Sequence, residues 1–184
     1  MKREHYLHEV ARLLQVHPVV AILGPRQCGK TTLARQVIRR MPSSQPTSTF
    51  NLSDEADLTR LETPRLSLEE LRGLVVIDDI QRRPALIETL RVLADRRPLR
   101  TRFLLLGSAS WDQIRQGSQS LAGRIGFVEL PPFTAKEVKA KQLRTLWLRG
   151  GLPRSFLADS TDASRQWRKE YISTFLERNM PALG

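Results

Sequence analysis

The sequence predicts an α/β fold, a parallel sheet flanked by helices, with a smaller helical unit after it. Three observations carry this. Short apolar runs alternate with stretches of helical periodicity through the first two thirds of the chain. A glycine loop, Gly24-Pro25-Arg26-Gln27-Cys28-Gly29-Lys30-Thr31, lies between the first apolar run and a helical stretch. Pro131-Pro132 then breaks the chain, and only helical spacing follows.

Taken in order, residues 4–16 predict a helix with Tyr6, Leu7, Val10, Leu13 and Leu14 on one side, ended by Pro18. Pro18 to Leu23 is an apolar run of the length of one buried strand, and a helix follows from Lys30 to Arg40, with Arg39 and Arg40 suited to its negative end. Pro42 to Thr49 reads as a polar loop, and Phe50-Asn51-Leu52 as part of a short second strand closed by Ser53-Asp54. Ser67, with Glu70 three residues on, predicts a capping box for a short helix that Gly73 stops. Leu74-Val75-Val76-Ile77 is apolar throughout, as in a strand covered on both faces of a parallel sheet. Pro84 opens a helix whose buried face is Leu86, Ile87, Leu90, Leu93 and Ala94. Phe103 to Leu106 and Phe127 to Leu130 supply two further strands. Beyond the proline pair come a short helix with Val138, then Leu143, Leu146, Trp147 and Leu148, a Gly150-Gly151 turn, and a last helix from about Ala163 to Asn179. That helix places Trp167, Tyr171 and Phe175 on one face, with Ile172 and Leu176 beside them. The expected division is therefore 1–130 and 131–184.

The glycine loop has the spacing G-x-x-x-x-G-K-T, in the strand–loop–helix context that such a loop needs. Its backbone N–H groups form a concavity for phosphate oxygens, and the following helix adds its positive end. Gly24 and Gly29 allow backbone angles and close phosphate approach. Lys30 is expected to reach the β- and γ-phosphates, and the Thr31 hydroxyl to take a Mg²⁺ position. Pro25, Arg26, Gln27, Cys28 and Thr32 complete the predicted binding segment; Cys28 reads as an unpaired thiol at a variable position. Asp78 and Asp79 follow the third apolar run, where open α/β sheets place their ligands. Asp78 is expected to hold Mg²⁺ and Asp79 to orient an attacking water. Ser108, at the next strand tip, is placed to sense a γ-phosphate. A serine nucleophile there lacks the G-x-S-x-G context and any downstream histidine.

The chain has 184 residues, enough for one domain with a core and an appendage. Its net charge of +11 favours polyanions, yet the arginines are scattered, with no block of five basic residues. That favours a solvated basic surface over a dedicated nucleic-acid groove. One cysteine excludes an internal disulfide and fits a reducing cytoplasm. No apolar run approaches the roughly 20 residues of a membrane span, and His5, His8 and Glu9 interrupt any leader. His5, His8 and His17 form no metal-ligand pattern.

The order of motifs resembles the prokaryotic AAA-type P-loop ATPases of the archaeal-ATPase-like group, which usually carry a further C-terminal domain of unknown function. The matching residues are Gly24 to Leu33, Val75-Val76-Ile77-Asp78-Asp79-Ile80-Gln81, Gly107-Ser108-Ala109-Ser110, Leu121-Ala122-Gly123-Arg124, Leu130-Pro131-Pro132-Phe133 and Leu148 to Arg154. The resemblance implies a P-loop NTPase core, a small α-helical lid, and ATP with Mg²⁺. It suggests Ser108 as a sensor and Arg124 as an arginine finger, although that arginine could instead pair with a carboxylate. Two departures stand out: the family usually has Glu where this chain has Asp79, and the sequence stops at Leu183-Gly184, about where the further domain would begin.

The expected activity is slow ATP hydrolysis driving a conformational switch. Its rivals are a nucleotide-dependent protein- or DNA-binding module without turnover, and a small-molecule kinase, for which no acceptor-site signature is present. The C-terminal aromatic face is expected to pack within the lid, or to serve a protein partner or self-association.

Overall fold

The computed structural model describes residues 1–108 and 121–179, with side chains described as far as Phe175. Ala109 and Ser110 of the matching motif, the side chain of Leu176, and Leu183-Gly184 lie outside the described residues. The chain divides into two compact units, Met1–Leu130 and Pro131–Gly184.

In the first unit, α1 (Glu4–Val16) precedes β1 (Val19–Leu23), and α2 (Lys30–Ile38) follows the glycine loop. Then come β2 (Thr47–Asn51), α3 (Glu55–Arg60), α4 (Pro64–Glu69), β3 (Gly73–Asp78), α5 (Leu86–Ala94), β4 (Thr101–Gly107) and β5 (Ile125–Glu129). The five strands form one sheet in the order β2-β3-β4-β1-β5, and every neighbouring pair is parallel.

Alternate residues of each strand face opposite sides of the sheet, so two cores form. Val19, Ala21 and Leu23 of β1 join Val75, Ile77, Phe103 and Leu105 beneath the buried face of α5. Val20 and Ile22 join Leu74, Val76, Leu104, Leu106 and Val128 against α1 and α2. All five residues of β1 are buried, which is why that segment is apolar without alternation. The predicted faces of α1 and α5 are the buried ones: Leu7, Val10, Leu13 and Leu14, and Leu86, Ile87, Leu90, Leu93 and Ala94.

Several local expectations are corrected. β2 starts at Thr47, inside the segment read as a polar loop. It is an edge strand, paired among the described residues with β3 alone, so its polar residues stay exposed or, at Ser48, half-buried while Phe50 is buried. Ser67 is not an N-cap. It lies within α4, where its hydroxyl donates to the Thr63 carbonyl at 3.1 Å and to that of Arg60; Pro64, a favoured first residue, sets the helix start. Asp54 caps the unforeseen α3, its carboxylate accepting from Ala56 N–H at 2.9 Å. Gly73 opens β3 rather than only ending a helix: its φ of +79° and the Pro46 carbonyl, 2.1 Å from where a Cβ would stand, both demand glycine. α2 ends at Ile38, before Arg39 and Arg40.

The second unit holds α6 (Leu143–Arg149), α7 (Pro153–Phe156) and α8 (Thr161–Asn179). Phe133, Val138 and Phe156 form its core, with Phe133 and Phe156 edge to face at 5.5 Å. Gly151 sits against Phe133, whose carbonyl would be 2.2 Å from an added Cβ. The buried hydroxyls of Ser155 and Ser164 lie 2.8 Å apart, and Ser155 also donates to the Arg149 carbonyl at 2.5 Å, tying α6, α7 and α8 together. Along α8, Trp167, Tyr171 and Phe175 stack successively at 5.1 and 6.2 Å.

Candidate functional site

Because all strands run the same way, their C-terminal ends gather the loops that follow β1, β3 and β4. Leu23 stands beside Gly107, and Gly24 N–H donates to the Gly107 carbonyl at 3.3 Å. A Cβ at Gly24 would stand 2.2 Å from the Leu130 carbonyl oxygen, so the loop can leave the sheet there only as glycine. Gly29 has φ of +104°, the left-handed turn that starts α2 at Lys30. Pro25, Arg26 and Gln27 line the exposed rim, Thr31 and Thr32 are exposed on the first turn of α2, and Cys28 points into the core.

Lys30 is 8% exposed, and its ammonium donates to the carbonyls of Gly24 and Pro25, both at 2.9 Å. The cation is thus held inside the curve of its own loop. Thr31 Oγ1 donates to Asp78 Oδ2 at 2.6 Å, so the predicted metal pair is in contact. These are hard oxygen donors, as Mg²⁺ prefers. Among the described residues no group of three or more His, Cys, Asp or Glu forms a cage. Two side chains fit an ion that takes its remaining ligands from water and phosphate.

Asp79 occupies the left-handed region, φ +59° and ψ +42°, which is strained for a residue with a Cβ. Its Oδ2 accepts from Ser53 Oγ at 2.5 Å and its Oδ1 from Gln81 Nε2 at 2.9 Å. Gln81 also reaches Ser108, donating from Nε2 to its Oγ at 3.0 Å and accepting its N–H at 3.3 Å. Lys30, Thr31, Asp78, Asp79 and Ser108 therefore surround one end of the sheet. Arg124 does not join them. Its carbonyl accepts from Val19 N–H at the opposite end of β1, and its guanidinium binds both oxygens of Asp95 at 2.5 and 2.9 Å. The hydrogen bond and charge of Arg124 hold the Asp95 carboxyl below its ordinary range.

Sequence reasoning gave Ser53 only a turn, met Gln81 only within a stretch that carries the resemblance, and assigned none of Ser53, Gln81 and Arg3 to the site. Arg3 is 5% exposed; its guanidinium lies 4.6 Å over the Tyr6 ring and donates to the Cys28 carbonyl at 3.3 Å. The only local signal was a basic N-terminus. Burial of Cys28 raises its thiol pKa above the usual value.

An open parallel sheet in this strand order, with a glycine loop feeding a helix and carboxylates at the next tip, defines a P-loop nucleotide-binding protein. Residues 16–139 match the family model of the AAA domain, and the chain belongs to that family; residues 140–184 match a domain of unknown function. The chain is 47% identical over its full length to uncharacterized protein Rv2008c of Mycobacterium tuberculosis and to uncharacterized protein Mb2031c of Mycobacterium bovis. It spans 41% of the length of each. Among solved structures, the Walker-type ATPase PABY2304 of Pyrococcus abyssi shares the fold, with TM-score 0.69 and 15% identity over 99% of this chain and 75% of that one.

Proposed function

We propose that this chain binds ATP with Mg²⁺ and hydrolyses it slowly, the cycle serving as a conformational switch. The observation that supports this most is the contact of Asp78 with Thr31, the residue next to the buried Lys30, at the mouth of the glycine loop. Lys30 exchanges its two carbonyl partners for β- and γ-phosphate oxygens and neutralises charge as the γ-phosphoryl group is attacked in line by water. Thr31 and Asp78 hold the Mg²⁺, which would shield the phosphate charges when bound. Asp79 accepts a hydrogen bond from the attacking water, and the Ser108 hydroxyl contacts the γ-phosphate. The bond to the β-phosphate oxygen breaks, leaving ADP and inorganic phosphate. With its guanidinium paired to Asp95 at the far end of β1, Arg124 is away from its own glycine loop, and an arginine finger here would serve a neighbouring copy.

The second reading, a nucleotide-dependent binding module without turnover, draws on both Asp79 oxygens being already engaged. Among the described residues no helix is long and apolar enough to cross a membrane, and a cytoplasmic setting fits the buried free thiol.

Steady-state phosphate release by the purified protein separates the readings, with Lys30→Ala as control. Loss of the charge-assisted bonds weakens ATP binding about tenfold or more while circular dichroism stays unchanged. ATP affinity unaltered in Lys30→Ala overturns the site. Phosphate release by the parent without any acceptor excludes a kinase. Tight ATP binding with no release supports the binding module, and salt-dependent DNA retention with and without ATP then tests nucleic acid as its partner.

A further inference from the structure

We propose that Gln81 is a positioning residue: a primary-amide brace that fixes the Asp79 carboxylate against the Ser108 tip of β4, so that engagement of Ser108 by a γ-phosphate sets where Asp79 points. This deepens the ATPase reading and rests on it for its functional consequence.

The geometry is specific. Nε2 of Gln81 lies 2.9 Å from Asp79 Oδ1 and 3.0 Å from Ser108 Oγ, and Oε1 lies 3.3 Å from Ser108 N. One side chain thus joins residues from the tips of two adjacent strands, β3 and β4. The task needs two N–H donors and one acceptor on one planar group, which only a primary amide supplies. A carboxylate cannot donate to Asp79, and an ammonium cannot accept from Ser108. Asparagine is one methylene short. The network is partly buried, where each bond is less screened than in water.

The brace also accounts for the backbone. Asp79 stays in the left-handed region, which a residue with a Cβ adopts only when its surroundings hold it there. Ser53 and Gln81 hold its carboxylate with one bond to each oxygen. About two of the carboxylate's four acceptor positions remain for water. The Ser108 hydroxyl, accepting from Gln81, retains its own O–H to donate to a phosphate oxygen. Because the amide makes all three bonds at once, Gln81 cannot follow a shift of Ser108 without moving its contact to Asp79. Nucleotide state at one strand tip is thereby felt at the water-orienting group on the next.

The test compares the parent with Gln81→Ala, Gln81→Glu, Ser108→Ala and the Gln81→Ala/Ser108→Ala double variant. Gln81→Glu keeps the side-chain shape, so it reports even where the alanine variant folds poorly. The expected result is a fall in kcat of about 10- to 100-fold for both Gln81 variants, as for a displacement near 1 Å. Mg-ADP and Mg-ATP dissociation constants stay within about twofold, and the double variant is little worse than either single one. Parental kcat in both Gln81 variants overturns the proposal. So does a loss of ATP affinity equal to the loss of rate, or rate losses that multiply in the double variant. If the parent binds ATP but releases no phosphate, the ATPase reading fails, and the brace is then read from the side-chain amide NMR signal of Gln81. That signal is expected to move in Asp79→Asn and Ser108→Ala, and on adding ADP–beryllium fluoride but not ADP. A signal indifferent to all of these overturns the brace itself.

Discussion

In the proposed ATPase cycle, Asp79 is the residue on which rate turns. Aspartate is one methylene shorter than glutamate, which withdraws its carboxylate by roughly 1.5 Å. Here that carboxylate is tied to Ser53 and Gln81. Asp79→Glu is expected to raise turnover several-fold with ATP affinity nearly unchanged, because Thr31 and Asp78 stay intact; stopped phosphate-release assays compare the two. Cys28 gives a second test. Its side chain is fully buried, and desolvation raises its thiol pKa above the ordinary value. Alkylation by iodoacetamide at pH 8 should be about tenfold slower or more in the native protein than in urea. The sign on stability follows: the thiol's contribution is whole below the ordinary thiol pKa and declines as pH rises from there through the higher folded value. Urea midpoints at pH 8 and pH 10.5 for the parent and Cys28→Ala should diverge in that direction. The glycine loop was legible at this scale because its chemistry is written in eight consecutive residues. Gln81 was not, because its meaning lies in Ser108, 27 positions away.

Among the elements, those with a covered face were readable and those at the margin were not. β1, β3, β4, α1 and α5 declare themselves by apolar runs or by helical spacing, since burial imposes the pattern. β2 hid behind Thr47, Ser48 and Thr49, because an edge strand is free to be polar. α3 hid because none of its residues is buried. With so little packing, α3 depends on its cap: Asp54→Ala should cost about 1 kcal/mol, seen as a lower urea midpoint. Ser53 precedes that cap and holds Asp79, so the same variant should also change kcat, whereas Asp162→Ala on the exposed start of α8 should change neither.

For the molecule as a whole, ligand binding to the first unit is the accessible readout. At 100 times its dissociation constant, Mg-ATP should stabilise the native state by about 2.7 kcal/mol, and at the same concentration Lys30→Ala should cut this to about 1.4 kcal/mol or less. On the second unit, Trp147 is 89% exposed, with Leu148, Ile172 and Phe175 also exposed. The aromatic row of α8 was legible from its four-residue spacing, but which part of it is covered was not, since spacing fixes a shared face and not a neighbour. Light scattering on this chain and on the full-length mycobacterial relatives checks whether this unit associates; monomers throughout, with equal thermal stability, exclude an interface there.

The strand order carries one more consequence, for how the protein comes into being. β1 is made early, yet its partners β4 and β5 are made late: Val19 pairs with Phe103 and with Ile125. At about 5–20 residues per second, a ribosome takes several seconds to supply the first of these and longer for the second. Until then the most apolar strand of the chain has neither flank in place. The segment that later anchors the phosphate loop therefore stays without its sheet partners through much of synthesis, an apolar stretch open to wrong pairings.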